Sequence, residues 1–442
     1  MAQLLISNAR IVNEGSVIHG DVLIRDQRIE KIGSGLSAPA GAQVYDAAGT
    51  LLLPGMIDDQ VHFRDPGLTH KGNLTTESAA AVAGGVTSVM DMPNNNPTIT
   101  TRARLAEKYA NAVGRSHANY AFYFGGANDN LEEIAALEPG EACALKVFMG
   151  ASTGNMLVDD PKTLEGIFER CRLMVVTHCE DTPMILANEQ KAREEFGEDV
   201  PWSEHPSIRS AEACYQSTDL ATGLAKKYDA RLHVLHLTTA RELSFFTPGP
   251  LAGKRITVEA CIHHLFFSEE DYATRGSLIK CNPAIKTAKD REALVRAVME
   301  DRIDVIATDH APHTLEEKQG TYFKAPSGLP LVQHPLLMGM ELVRRKELDL
   351  HTLVRKTSHA VAELFGVKER GYIREGYFAD LVLIDDEAST LVRNEDALYK
   401  VGWTPLDGET LHGRIKATWV NGHLAWDGKT VSSPQGERLR FI

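Results

Sequence analysis

The 442-residue chain holds six cysteines, and no two of them form a Cys-x-x-Cys pair. Scattered as Cys143, Cys171, Cys179, Cys214, Cys261 and Cys281, they make neither a disulfide framework nor a paired-thiol metal site, and they read as reduced thiols of a cytoplasmic protein. Basic charge is also in short supply, with 47 Lys and Arg against 60 Asp and Glu and a formal charge of -13. Nucleic acid and anionic membrane surfaces need a basic face, so both are excluded as expected partners, and an anionic ligand has to be met by a local cluster of positive charge. No apolar run approaches a membrane span, the opening residues alternate and break too early for a secretion signal, and no low-complexity tract or short repeat occurs. What remains, 43% hydrophobic and 24% charged, is the composition of a globular protein with a large core.

Two patterns divide the chain. Residues 1–55 read as short alternating strands separated by turn residues: Leu4 to Val12, Val22 to Arg25, Arg28 to Ile32 and Gln43 to Tyr45. From Met56 onward apolar strands alternate with amphipathic helices, the signature of a parallel sheet closed by crossovers. Eight such strands are expected, at Met56 to Phe63, Thr87 to Pro93, Asn119 to Phe124, Ala144 to Met149, Arg172 to Cys179, Arg231 to Leu237, Ile256 to Phe267 and Ile303 to His310. Eight is the number of a (β/α)8 TIM-type barrel. Alternation returns at Ala379 to Asp385 and at Ala417 to Gly428, which turns at Asn421-Gly422. The expected architecture is α/β: a barrel over residues 56–365, beside a small β-sandwich domain built from both termini, residues 1–55 and 366–442.

Side chains able to carry chemistry collect at the carboxyl ends of the expected strands, where barrels of this type work. Asp58-Asp59-Gln60-Val61-His62-Phe63-Arg64 ends the first strand and Thr308-Asp309-His310-Ala311-Pro312-His313 the eighth. Strict alternation would put Asp58, Gln60, His62 and Arg64 on one inward face. His178 and His236 offer imidazoles and Asp309 a carboxylate, the donors zinc prefers, and a two-metal site also wants a bridging anion. Lys146 would repel a cation as an ammonium, so it belongs in such a set only as a carbamate. His233, His263 and His264 are read as ordinary core or surface histidines.

Taken in order, His62-Phe63-Arg64-Asp65-Pro66-Gly67, Met92-Pro93-Asn94, the Lys146 strand, His178-Cys179-Glu180, His236-Leu237-Thr238-Thr239, Cys281-Asn282-Pro283 and Thr308-Asp309-His310-Ala311-Pro312-His313 resemble the amidohydrolase superfamily. Within it, the set resembles the dihydroorotases of pyrimidine biosynthesis along nearly the whole chain. The resemblance implies that His62 and Asp309 hold one zinc and His178 and His236 another, with carboxylated Lys146 and a hydroxide between them. It places Gln60 where the family has its first histidine ligand. A pair of barrels, a homodimer, is the assembly it suggests.

The substrate is argued from other side chains. Arg64 follows His62 on the same inward face, and a guanidinium clamps a carboxylate through two parallel hydrogen bonds. Asn94 and His313 are expected on the same rim, and the resemblance adds Asn282 and the Ser327-Gly328 turn as contacts to the ring. The implied reaction is reversible zinc-dependent hydrolysis of L-dihydroorotate to N-carbamoyl-L-aspartate, with Asp309 moving the proton. A hydantoinase or dihydropyrimidinase would keep the metals without needing Arg64 to meet an acid group. A third reading is an inactive homologue serving an assembly partner, because a neutral amide at Gln60 is a poorer zinc ligand than imidazole. The retention of every other ligand favours an active enzyme with unequal metal sites, the weaker at Gln60, His62 and Asp309.

Overall fold

The computed structural model describes residues 3–150 and 156–442. Strands Met56–Val61, Val86–Asp91 and Asn119–Phe122 pair in parallel. A second parallel series continues through Phe124–Gly125, Leu145–Phe148, Val175–His178, Leu232–Val234, Ile256–Cys261 and Val305–Ala307. The third barrel strand is divided at Tyr123, so its first part pairs backward and its second part forward. Closure comes from Val61 bridging His310, where the His62 amide donates to the His310 carbonyl at 2.7 Å. The (β/α)8 barrel is therefore complete.

Side chains at the crossovers explain where the helices begin. Asn73, Thr101, Asp160, Asp181, Ser210 and Thr287 each accept a backbone N–H in the first turn of the helix that follows, satisfying donors that would otherwise lack partners. The seventh strand departs from expectation: it stops at Cys261, and Ile262–Phe266 turns as a short helix. A continuous buried apolar run carries no periodicity by which strand and helix can be told apart.

Strands from both termini join one eight-stranded sheet, running in space from His423–Trp426 through Thr410–Val420, Leu381–Leu391, Leu51–Pro54, Gln3–Asn13 and Ser16–Arg25 to Arg28–Gly33, with Gln43–Asp46 also on Gln3–Asn13. Its faces divide by alternation. Leu52, Leu381, Leu383 and Trp419 enter a core within the sheet, which curls far enough for Tyr45 to meet Trp419 edge-on at 5.2 Å. Leu51, Leu53, Val382 and Ile384 point the other way and merge with the core around the barrel. The turn at Asn421-Gly422 has positive φ at both residues, 52° and 75°, the conformation of a tight hairpin.

Candidate active site

One cavity of about 250 Å³ opens at the carboxyl ends of the barrel strands. It is lined by every candidate residue, Gln60, His62, Arg64, Asn94, Lys146, His178, His236, Asn282, Asp309, His313, Ser327 and Gly328, joined by Phe148, Ala311 and Pro326. Three of them, Arg64, His236 and Asp309, have positive φ of 66°, 37° and 49°. Non-glycine residues adopt that region at a cost, and folds tolerate it chiefly where a side chain must be aimed.

On one wall, His178 Nδ1 and His236 Nε2 face each other at 3.0 Å. His178 Nε2 lies 2.8 Å from Glu180 Oε2, and the Arg209 guanidinium donates to the same oxygen at 2.7 Å. Burial works to raise the Glu180 pKa, but Arg209 and His178 outweigh it and hold the carboxyl well below its usual range. Glu180 is thus an anion that accepts a hydrogen bond from His178 Nε2–H and leaves the Nδ1 lone pair toward the cavity, the usual support of a metal-binding histidine.

The opposite wall is arranged differently. His62 Nδ1 sits 2.7 Å from the Asn94 carbonyl oxygen, so it carries the proton, and His62 Nε2 is 3.1 Å from Asp309 Oδ1. Gln60 Nε2 donates to the same Asp309 oxygen at 3.1 Å, while Gln60 Oε1 lies 3.6 Å from the Cys261 sulfur. Toward Asp309, then, the amide presents a donor and not a ligand atom. Burial pushes the Asp309 pKa up, but the hydrogen bond and charge of His62, with His263 and Lys146 nearby, bring it below the ordinary aspartate value. It is an ionised carboxylate at neutral pH.

Between the walls, Lys146 is buried with its Nζ over the Phe148 ring, 4.5 Å from the centroid. Loss of water lowers its pKa from 10.5 to about 8, against the pull of Asp309 and Glu259. About a tenth of the amine is therefore neutral near pH 7, far more than for an ordinary lysine, and the neutral amine is the form that adds carbon dioxide. The donor types fit zinc: three imidazoles and a carboxylate face one space, with a lysine between them whose pKa is lowered.

At the mouth stands a cluster of positive charge. Arg64 Nε donates to the Pro312 carbonyl at 3.1 Å, and among the described residues no carboxylate forms an ion pair with its guanidinium. Asp65 is occupied by Arg115, and Asp58 by the Thr308 hydroxyl at 2.6 Å, so the barrel-mouth salt bridges that would have absorbed Arg64 are not made. Burial lowers the Arg64 pKa only to about 10, and it stays charged. Lys71 Nζ donates to His313 Nδ1 at 3.0 Å, and His313 Nε2 lies 3.1 Å from both Arg64 Nη2 and the Ser327 carbonyl oxygen. Gly328, with φ of 142°, is required here, because a Cβ would lie 2.4 Å from the Ala311 carbonyl oxygen and 3.0 Å from the His313 ring.

Strict alternation fails at one point. The register of the first strand shifts between Asp58 and Val61. Asp58 is drawn sideways to Thr308, and Asp59, expected to point outward, reaches across the barrel toward His233. Sequence reasoning also missed Glu180 as the support of His178, Arg209 behind it, Lys71 beside His313, and Trp403, whose indole N–H holds the His313 carbonyl at 2.8 Å. A carboxylate two residues past a candidate ligand was a usable signal for Glu180. The other three come from distant segments and left none.

Residues 51–425 match the Amidohydrolase family. The chain belongs to the amidohydrolase family. A dihydroorotase of Halobacterium salinarum is 32% identical over 438 residues, covering 98% of this chain and 100% of that protein. A dihydroorotase of Pyrococcus abyssi is 30% identical over 436 residues, 98% of each chain. Among solved structures, an L-hydantoinase (dihydropyrimidinase) from Arthrobacter aurescens superposes over 100% of both chains with a TM-score of 0.94 at 26% identity. A dihydropyrimidinase from Brevibacillus agri covers 100% of this chain and 99% of its own, with a TM-score of 0.89 at 27% identity. The amidohydrolase has no helix, among the described residues, long and apolar enough to cross a membrane.

Proposed function

We propose that this amidohydrolase is a dihydroorotase, opening the ring of L-dihydroorotate to N-carbamoyl-L-aspartate and closing it in the biosynthetic direction. The observation that carries the reading is Arg64: a buried, charged guanidinium at the cavity wall with no carboxylate of the protein paired to it. An unpaired buried cation is costly unless a ligand supplies the anion, and the acid group on the ring is that anion. The names of the curated relatives agree with this choice.

His62 and Asp309 would hold one zinc ion and His178 and His236 a second, with Lys146 as a carbamate between them and Gln60 a weak or absent ligand. When bound there, zinc supplies hydroxide at neutral pH and polarises the ring carbonyl. Arg64, with Asn94 and His313 beside it, binds the ring carboxylate and fixes which face of the amide is presented. Asn282 and the Ser327-Gly328 turn bound the ring on the far side. Asp309 takes the proton of the attacking water on its carboxylate and delivers it to the ring nitrogen as the carbon–nitrogen bond breaks. Ring closure runs through the same atoms in reverse.

The discriminating experiment compares L-dihydroorotate with dihydrouracil, using protein prepared with zinc and bicarbonate. Turnover of dihydroorotate with little of dihydrouracil is expected. Equal turnover of both rings would favour the hydantoinase or dihydropyrimidinase reading, the names carried by the two solved structures compared above. Turnover of neither would leave a homologue silenced at Gln60.

A further inference from the structure

Beneath the cavity lies a second group of donors with no part in the chemistry above. Asp59, His233 and Glu259 come from three different barrel strands and are each 0% exposed. His233 Nε2 is 3.6 Å from Asp59 Oδ2 and 3.9 Å from Glu259 Oε2, and one ligand atom from each residue lies within 4.8 Å of the other two. Both Asp59 oxygens, Glu259 Oε2 and His233 Nε2 have no hydrogen-bond partner.

The imidazole proton can be assigned from its neighbours. The Thr257 hydroxyl donates to the Leu232 carbonyl at 3.2 Å, so it can only accept from His233 Nδ1, 2.9 Å away. His233 Nδ1 therefore carries the hydrogen, and Nε2 turns a bare lone pair toward the two carboxylates. The other Glu259 oxygen is engaged by the His236 amide at 3.0 Å and the Cys261 thiol at 3.3 Å, which fixes Oε2 inward. The Asp59 backbone is pinned by the Tyr123 hydroxyl, donating to its carbonyl at 2.7 Å. Acceptors thus converge on one point from three strands, and no Lys or Arg among the described residues pairs with either carboxylate. Two carboxylates buried together without a cationic partner are costly in their charged form, and burial pushes both pKa values up.

We propose that Asp59, His233 and Glu259 bind a divalent metal ion of the zinc class on the barrel axis, separate from any ion held by the cavity residues. Separations of 3.6 and 3.9 Å, with the third no greater than 4.8 Å, leave a centre about 2.0 to 2.4 Å from each donor, close to the bond lengths of zinc to imidazole nitrogen and carboxylate oxygen. The Thr257 hydroxyl behind His233 supplies the outer support that fixes such a ligand's tautomer. Because Glu259 also holds the His236 amide, the ion would brace the strand end that carries His236.

Two measurements on the full chain, loaded with zinc and dialysed, test the assignment. In crystals of the wild-type protein, anomalous scattering at the zinc edge should give a peak bonded to Asp59, His233 and Glu259. Metal analysis should show Asp59→Asn and His233→Gln each carrying one equivalent less than wild type, with a smaller zinc-induced rise in melting temperature. Absence of the peak in the wild-type crystal would overturn the proposal and leave the carboxylates neutralised by shared protons. Variants that fold and keep the full wild-type zinc content would overturn it equally. Both readouts are independent of which ring the enzyme opens.

Discussion

His178 and His62 stand on opposite walls of one cavity with their metal-facing nitrogens already directed, yet they are supported in different ways. Behind His178 is a carboxylate, Glu180, itself held by Arg209. Behind His62 is the neutral amide of Asn94, and beside it Gln60 offers Asp309 an N–H where a second imidazole would offer a lone pair. A carboxylate makes its imidazole more basic and raises metal affinity, and an amide does so far less. The difference teaches that, on the proposed two-metal reading, the two halves would differ in strength, with metal held more firmly on the His178 side than on the His62 side.

The most severe way to break the weak half is at its carboxylate, Asp309. Asp309→Asn should lower kcat by about 10³-fold, within the range expected for a lost general base, and a steady-state rate within tenfold of wild type would remove Asp309 from that role. Next is the clamp on the same wall. Arg64→Met should raise KM for dihydroorotate by about 100-fold, the equivalent of about 2 to 3 kcal/mol for charge-assisted hydrogen bonds, while leaving dihydrouracil hydrolysis unchanged. Equal effects on the two rings would show that Arg64 serves the fold and not the acid group.

Breaking the strong half should need only its support. Glu180→Gln is expected to weaken zinc binding by about 10 to 100-fold at one site per chain, read by chelator competition, and unaltered affinity would sink the account of why His178 is the better ligand. The contrast can also be narrowed from the other side. Gln60→His should tighten the weaker site by about tenfold as an imidazole replaces an amide; no change in either zinc affinity would mean that Gln60 is not at the metal. The smallest effect is expected from Asn94→Asp, which gives His62 a carboxylate support like that of His178. A few-fold gain in zinc affinity should come with a raised KM for the acidic ring, because the new charge faces it.

Much of the site was legible as residues, and little of it as geometry. A candidate ligand set could be named because donors of the right type recur at the ends of apolar strands, and the closed barrel brings strand ends together around one cavity wherever they lie in the chain. Arg64 was legible as a candidate clamp, but that no carboxylate among the described residues forms an ion pair with it was not, since Asp58 and Asp65 lie close to it in sequence and could have paired with it. Only the fold gives Asp58 to Thr308 and Asp65 to Arg115. The inward turn of Asp59 was hidden for a similar reason: period-two alternation holds while register holds, and here the register shifts.

By itself the sequence determined the (β/α)8 barrel, the joining of both chain ends in one sheet and the chemical types available for catalysis, because periodicity and donor chemistry are local properties carried by each segment. Tertiary structure decided which nitrogen of each histidine faces the cavity, that Gln60 meets Asp309 as a donor, that Arg64 is left for a ligand, and that Asp59, His233 and Glu259 converge. Each of these depends on what lies across a contact of a few ångströms from a residue far away in the chain, and hydrogen-bond partners and buried charge are settled only when the strands close.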